Sequence, residues 1–216
     1  SKKDDTHKFL IKLSDDNAIE SVFMRYNHGN TLCVSTQVGC KMGCKFCAST
    51  GIKFARDLTS GEIVEQILAV ERDENIKISN VVFMGIGEPL DNFDNVVNAI
   101  GILNNQKGLN IGARHISIST SGLVPQIYEL ADKNLQCTLS ISLHAPFDEL
   151  RSNIMPVNRK YNVKEIVSAS KYYFEKTGRR VIFEYTLIKG TNDSDACAKE
   201  LAKLTAGFPS HVNLIR

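Results

Sequence analysis

The sequence predicts an α/β fold built on a parallel sheet, and two observations carry that prediction. Short apolar, β-rich runs recur at 31–36, 79–84, 114–120, 137–143, 180–187 and 211–215. Between most of them lie segments whose apolar residues repeat at helical spacing, at 93–105, 123–133, 163–177 and 194–206. One further helix is opened by Thr59-Ser-Gly-Glu62, which has the form of a capping box and leads into Ile63, Ile67, Leu68 and Val70. Strands alternating with helices imply right-handed crossovers. Six such strands make an open sheet or an incomplete barrel, and both place their chemistry at the carboxyl ends of the strands.

Ahead of this alternation, His7–Leu13 and Ala18–Tyr26 are joined by Ser14-Asp-Asp-Asn17 and read as a β-hairpin. Asn27-His-Gly-Asn30 then turns the chain into the first parallel strand. The expected organisation is a hairpin extension over 1–30 followed by a core domain over 31–216, with no boundary visible inside the core. The strand at 211–215 reaches Arg216 with no helix after it. The last helix of the alternation is therefore expected to be missing and an apolar sheet face uncovered, as in a fragment or a chain that a partner completes.

Composition narrows the function classes. With 216 residues, 43% hydrophobic and 23% charged, the chain can bury one sizeable core. A formal net charge of +2 does not by itself announce a nucleic-acid partner. No apolar run is long enough for a membrane span and the start carries no signal-peptide core, so a cytoplasmic protein without a membrane partner is expected. In that reducing setting, six cysteines point to metal ligands or catalytic thiols rather than disulfides.

Three of the six fall in Cys40-Lys-Met-Gly-Cys44-Lys-Phe-Cys47, on the loop after the first parallel strand. Three thiolates at this spacing can curl around one metal centre. A cubane has four irons, so three protein ligands leave one iron open for a chelating amino-acid group. Zinc would normally take a fourth protein ligand and paired two-cysteine knuckles, which are absent. Phe83-Met-Gly-Ile-Gly-Glu-Pro-Leu90 closes the second strand: its glycines let backbone approach a ligand, and Glu88 offers a carboxylate to a primary ammonium. Ser119-Thr-Ser-Gly122 and Ser142-Leu-His-Ala-Pro146 close the next two strands with groups suited to ribose hydroxyls or a carboxylate. Singly such residues are turn or cap residues; together they fall where the architecture places a ligand.

The cluster motif resembles that of the radical S-adenosylmethionine superfamily, which implies a partial (β/α)6 barrel, a 4Fe-4S cluster on Cys40, Cys44 and Cys47, and S-adenosyl-L-methionine as cofactor. In that superfamily an electron from the cluster splits the sulfonium and releases a 5′-deoxyadenosyl radical, while the protein supplies position and exclusion of water. The ordered set Thr31-Leu-Cys-Val-Ser-Thr-Gln-Val-Gly-Cys40, Gly-Ile-Gly-Glu-Pro-Leu, Ser-Thr-Ser-Gly, Ser-Leu-His-Ala-Pro, Arg151-x-x-Ile-Met-Pro156 and Asn213-Leu-Ile215 is similar to the bacterial methyltransferases that modify carbon 2 of adenine in large-subunit (23S) ribosomal RNA and transfer RNA. The resemblance implies that Gly87, Glu88, Ser119, Ser142, Leu143 and His144 surround the cofactor. It also implies that Cys33 is the thiol resolving a protein–RNA intermediate and Glu20 a proton acceptor. A methyl-carrying cysteine of that family, an asparagine contacting the cofactor and an amino-terminal RNA-binding region have no counterpart in this sequence, so the chain is expected to be the central portion of the enzyme and inactive in methyl transfer by itself.

Cys137 and Cys197 match no motif and are expected to pack in a strand and a helix. The expected partners are RNA and an electron donor such as flavodoxin or ferredoxin. Lys41, Lys45, Lys53, Arg56, Arg179 and Arg180 are the basic residues that could meet phosphates, against the commoner reading of solvated surface charge. A carbon-8 adenine methyltransferase conferring antibiotic resistance shares nearly all the motifs, and a glycyl-radical activase shares the cluster motif alone. A cluster-binding module without activity would make the strand-end motifs accidental.

Overall fold

The computed structural model describes residues 5–216, which divide into two compact units. The first comprises residues up to Lys41 together with Gly51–Ile118, the second Met42–Thr50 with Ser119–Arg216.

The first unit opens with β1 (Thr6–Lys12), β2 (Ala18–Tyr26) and β3 (Gly29–Cys33) as an antiparallel meander. A two-residue ladder of β4 (Gln37–Val38) and β5 (Arg56–Asp57) precedes α1 (Ser60–Glu74), β6 (Asn80–Phe83), α2 (Phe93–Asn104) and β7 (Ile116–Thr120), whose last two residues belong to the second unit. β6 pairs in parallel with both β3 and β7. Strand alternation sorts the side chains: Ile19, Phe23, Leu32, Val81, Phe83, Ile116 and Ile118 are buried. Ile63, Ile67 and Val70 of α1 and Val96, Ala99, Ile100 and Leu103 of α2 complete that core.

Gln66 pins α1 to this sheet face. Its Oε1 accepts from the Ser21 hydroxyl at 2.8 Å and the Ser35 backbone N–H at 2.9 Å, while its Nε2 donates to the Ser35 carbonyl at 2.9 Å. The capping box expected at α1 forms, with Thr59 and Glu62 satisfying each other's backbone N–H groups.

The second unit holds α3 (Val124–Asp132), β8 (Thr138–Ser142), α4 (Asp148–Ile154), α5 (Val163–Thr177), β9 (Val181–Thr186), α6 (Asp195–Thr205) and β10 (Ser210–Ile215). β8, β9 and β10 are consecutive parallel neighbours. Cys137, Leu139, Ile141, Val181 and Phe183 are buried, as are Ile127, Leu130, Ile166, Ala169 and Tyr173 from the helices. The α/β fold with a mostly parallel sheet is thus the one the alternation predicts. Beside α6, a cavity of about 380 Å³ is bordered by Leu201, Ala202, Val212 and Leu214, and Leu214 is 57% exposed, so the apolar face expected at the last strand is open. Among the described residues no helix is long and apolar enough to cross a membrane.

The structure departs locally from the sequence-based expectation. β3 ends at Cys33, because Val34 and Thr36 bond instead to Val82 and to the loop after β6, through Val34 N–H to Val82 O and Thr36 N–H to Ile86 O. Arg114 and His115 form a 3-10 turn rather than strand. α4 was not expected, since seven residues are too short to show a helical apolar period.

The two anchors of α1 differ in kind, and stability should rank them. Thr59→Ala removes one exposed cap and should cost about 1 kcal/mol. Gln66→Leu strands several buried polar partners and should cost about 2–3 kcal/mol. Chemical denaturation of both variants checks the order; equal losses would contradict the role given to Gln66.

Candidate active site

The first unit holds Glu20, Cys33, Cys40, Gly87 and Glu88. Cys33 faces Val22 on one side and Val82 on the other in the sheet register, and Glu20 lies two residues along β2 from Val22, on the same face. The Glu20 carboxylate pairs with Lys8 Nζ at 2.6 Å. The Cys33 thiol is half-buried, and burial pushes it up to about 11 against the opposing effect of a hydrogen bond from the Met84 backbone.

From Met84 the chain runs directly into the glycine loop. A Cβ on Gly85 would come within 2.6 Å of the Val34 carbonyl, and Gly87, at φ +106°, lies against the Gln37 side chain where a Cβ would meet it at 2.6 Å. Both positions therefore require glycine. The Ser35 hydroxyl donates to the Glu20 carbonyl at 2.6 Å and accepts from the Ile86 N–H at 3.0 Å, tying the loop to β2. Glu88 is buried; its N–H donates to Gln37 Oε1 at 2.9 Å and its Oε1 accepts from the Leu90 N–H at 3.0 Å.

The second unit holds Cys44, Cys47, Ser119, Ser142, Leu143 and His144. Cys44 packs against Ala145, Ile154 and Met155, and the Lys45 N–H donates to the Ile154 carbonyl at 2.9 Å. His144 is buried with φ +55° and meets Phe46 edge-on, with ring centroids 4.7 Å apart. The Thr186 N–H donates to His144 Nδ1 at 3.0 Å, so the proton of the neutral ring sits on Nε2. Burial, reinforced by the Arg151 charge, pulls this histidine down to about 4. Ser119 and Ser142 are half-buried on strands β7 and β8.

Arg151, quoted above only as part of a motif, organises these strand ends. It is fully buried, and its guanidinium donates to the carbonyls of Ser121, Ser142 and Leu143 and to Asn158 Oδ1. Burial lowers it to about 10, partly offset by the charges of Cys44 and Asp148. Asn192 acts similarly, donating to the carbonyls of His144 and Thr186. Neither residue had a role that the sequence disclosed.

None of the six cysteines forms a disulfide. Among the described residues no three His, Cys, Asp or Glu side chains converge as ligands of a single ion would. Three cysteines on one loop are a donor set that suits an iron–sulfur cluster with one iron left open. Of the basic candidates, Lys41 pairs with Asp91 at 2.9 Å and Arg56 with Asp15 and Glu62, so both are committed within the protein. Cys137 and Cys197 are buried, as packing residues would be.

A parallel α/β sheet with a three-cysteine loop and a glycine–glutamate loop at its strand ends defines a class. Residues 34–200 match the Radical SAM superfamily, and the chain belongs to it. Membership brings S-adenosylmethionine and an iron–sulfur cluster as cofactors. The chain is 58% identical over 215 residues to the Probable dual-specificity RNA methyltransferase RlmN of Clostridium botulinum (strain Eklund 17B / Type B), a match covering 100% of this chain and 62% of that protein. It is 56% identical over 215 residues to the protein of the same name from Clostridium acetobutylicum, again covering 100% and 62%. Among solved structures, a radical SAM methyltransferase from Sphaerobacter thermophilus superposes with a TM-score of 0.93 at 48% identity, over 97% of this chain and 62% of that one. The chain thus spans about 62% of the length of these curated relatives.

Two titrations test the site. The folded His144 ring stays neutral down to about pH 4, whereas a ring in the unfolded chain takes up its proton near 6.5. The unfolded state gains protons first as pH falls through that window, so stability should drop there, and the drop should shrink in His144→Gln. Denaturation midpoints between pH 7 and 4 check this; identical slopes would refute the buried neutral ring. In cluster-free protein, Cys33 should react slowly with iodoacetamide near neutrality and accelerate as the pH climbs toward 11. A plateau below pH 9 by mass spectrometry would contradict the burial effect.

Proposed function

We propose that this chain is the radical-forming core of an RNA methyltransferase of the RlmN type, which methylates carbon 2 of adenine in 23S ribosomal RNA and transfer RNA. The observation that carries the reading is the shared face of Glu20 and Cys33, directly ahead of the glycine loop. Cofactor cleavage alone has no need of a carboxylate and a separate thiol there; removing a proton from a base adduct and then releasing the product needs both.

Cys40, Cys44 and Cys47 would hold three corners of a 4Fe-4S cluster, leaving one iron open. When bound, the cluster and cofactor supply the electron and the carbon-centred radical that ordinary side chains cannot. Glu88 takes the cofactor ammonium by a charge-assisted hydrogen bond and Gly87 gives the backbone its close approach. Ser119, Ser142, Leu143 and His144 hold the rest of the cofactor, with His144 fixed as an Nε2–H donor. Glu20 accepts the proton from the adduct, and Cys33 releases the methylated base. The methyl-carrying cysteine corresponds to none of the six: Cys137 is sealed at the start of β8 and Cys197 in the first turn of α6. The electron comes from a low-potential donor such as flavodoxin or ferredoxin. Exposed Lys45, Lys53 and Arg180 offer charge to RNA phosphates, and the target adenine leaves its stack to react.

The full-length protein containing this core should, after anaerobic reconstitution, bind about four irons. Alanine at Cys40, Cys44 or Cys47 should abolish iron binding, while Cys137→Ala should not. Glu88→Gln should weaken cofactor binding at unchanged iron content, because it removes the charge that faces the ammonium and keeps the shape. With RNA substrate, mass spectrometry of digested nucleosides should find 2-methyladenosine, and Cys33→Ala should accumulate a covalent protein–RNA adduct. Finding 8-methyladenosine, or full turnover without Cys33, would overturn the assignment.

A further inference from the structure

We infer that Gln37 is a positioning residue that locks the cofactor-binding loop to the cysteine loop, so that Glu88 and the cluster grip the methionine end of S-adenosylmethionine in one register. The inference rests on the assignment of Glu88 to the cofactor ammonium made above.

Gln37 lies three residues before Cys40 and is completely buried. Its backbone N–H donates to the Ile86 carbonyl at 3.2 Å. Its side-chain Oε1 accepts from the Glu88 N–H at 2.9 Å, and its Nε2 donates to Asp57 Oδ1 at 2.8 Å and Asp91 Oδ2 at 2.9 Å. The amide orientation is dictated by these partners, since only the oxygen can meet an N–H and only the nitrogen can meet two carboxylates. Asp91 also takes Lys41 Nζ at 2.9 Å, so the residue following Cys40 is bound to the same network. The Gln37 Cβ and Cγ fill the space beside Gly87, where a Cβ would meet them at 2.6 and 2.8 Å.

The chemistry needs such a link. An amino group that chelates an iron and also donates to a carboxylate has two fixed partners on two loops, and a small slip between them loses one bond. A neutral amide suits the post: glutamate there would set a third carboxylate against Asp57 and Asp91, and a methionine would fill the volume but strand the Glu88 N–H and remove one hydrogen bond from each acid.

The test uses full-length, anaerobically reconstituted protein. Gln37→Met should weaken S-adenosylmethionine binding by about 10-fold, the usual loss when an outer hydrogen-bonding partner is removed, at unchanged iron content. In the Glu88→Gln background the same substitution should have little further effect, because Gln37 acts through Glu88. In cluster-free protein, amide exchange at 86–91 should accelerate in Gln37→Met. Should Gln37→Met not fold, Asp91→Ala, which cuts the outer end of the link, should give a smaller, equally Glu88-dependent loss. Full additivity with Glu88→Gln, or unchanged affinity and exchange, overturns the inference. If Glu88→Gln itself leaves affinity unchanged, the assignment of Glu88 fails instead, and Gln37→Met still reports through exchange whether it holds the loop.

Discussion

Parallel strands deliver their chain to one edge of the sheet, and every loop that leaves that edge carries backbone donors and acceptors that have no ladder partner. Burying those groups without partners would cost about 1–3 kcal/mol each. Here buried side chains meet the demand, among them Gln66 and Gln37 in the first unit, Arg151 and Asn192 in the second. Each reaches backbone groups distant in sequence, so each converts a loose strand end into a fixed one. Several of the candidate cofactor ligands are among the residues so held. Ser142 and Leu143 hang on Arg151, His144 on Asn192, and Glu88 on Gln37.

The same side chains set the charge pattern. In the second unit the buried cation belongs to Arg151, which is saturated by carbonyls, and its field helps keep His144 neutral. In the first unit the acids Asp57 and Asp91 converge on an uncharged amide, with Lys41 neutralising one of them from outside. Within each unit the charged groups are thus met by dipoles or counter-ions.

What the sequence disclosed was whatever repeats or clusters. Strand–helix alternation gave the sheet, the Thr59–Glu62 box gave the start of α1, and the Cys40–Cys47 spacing and the Gly85–Glu88 loop marked the site. What it concealed depends on tertiary contact. Gln37, Gln66, Arg151 and Asn192 read as ordinary polar residues, because burial of a polar group is decided by partners up to about fifty positions away, as with Gln37 and Glu88. The end of β3 is hidden for the same reason: Val34–Thr36 keep a β-like composition while their hydrogen bonds are shared among Val82, Gln66 and the loop after β6. The basic residues divided likewise, since nothing in the chain near Arg56 reveals that Asp15 is waiting for it.

The burial of Cys33 bears on the order of events in the proposed reaction. A thiolate beside a sulfonium would be methylated. With its thiol pushed up to about 11, Cys33 is ionised in about one molecule in ten thousand at pH 7, far below an exposed cysteine. Its resting state is therefore poorly nucleophilic, and only when a base takes its proton can it attack the carrier cysteine's sulfur, forming an S–S bond as the S–C bond to the methylated base breaks. Glu20 stands on the same sheet face, held by Lys8 rather than by Cys33. The thiol's reluctance is thus a consequence of its burial at the end of β3, where the register sets it between Val22 and Val82.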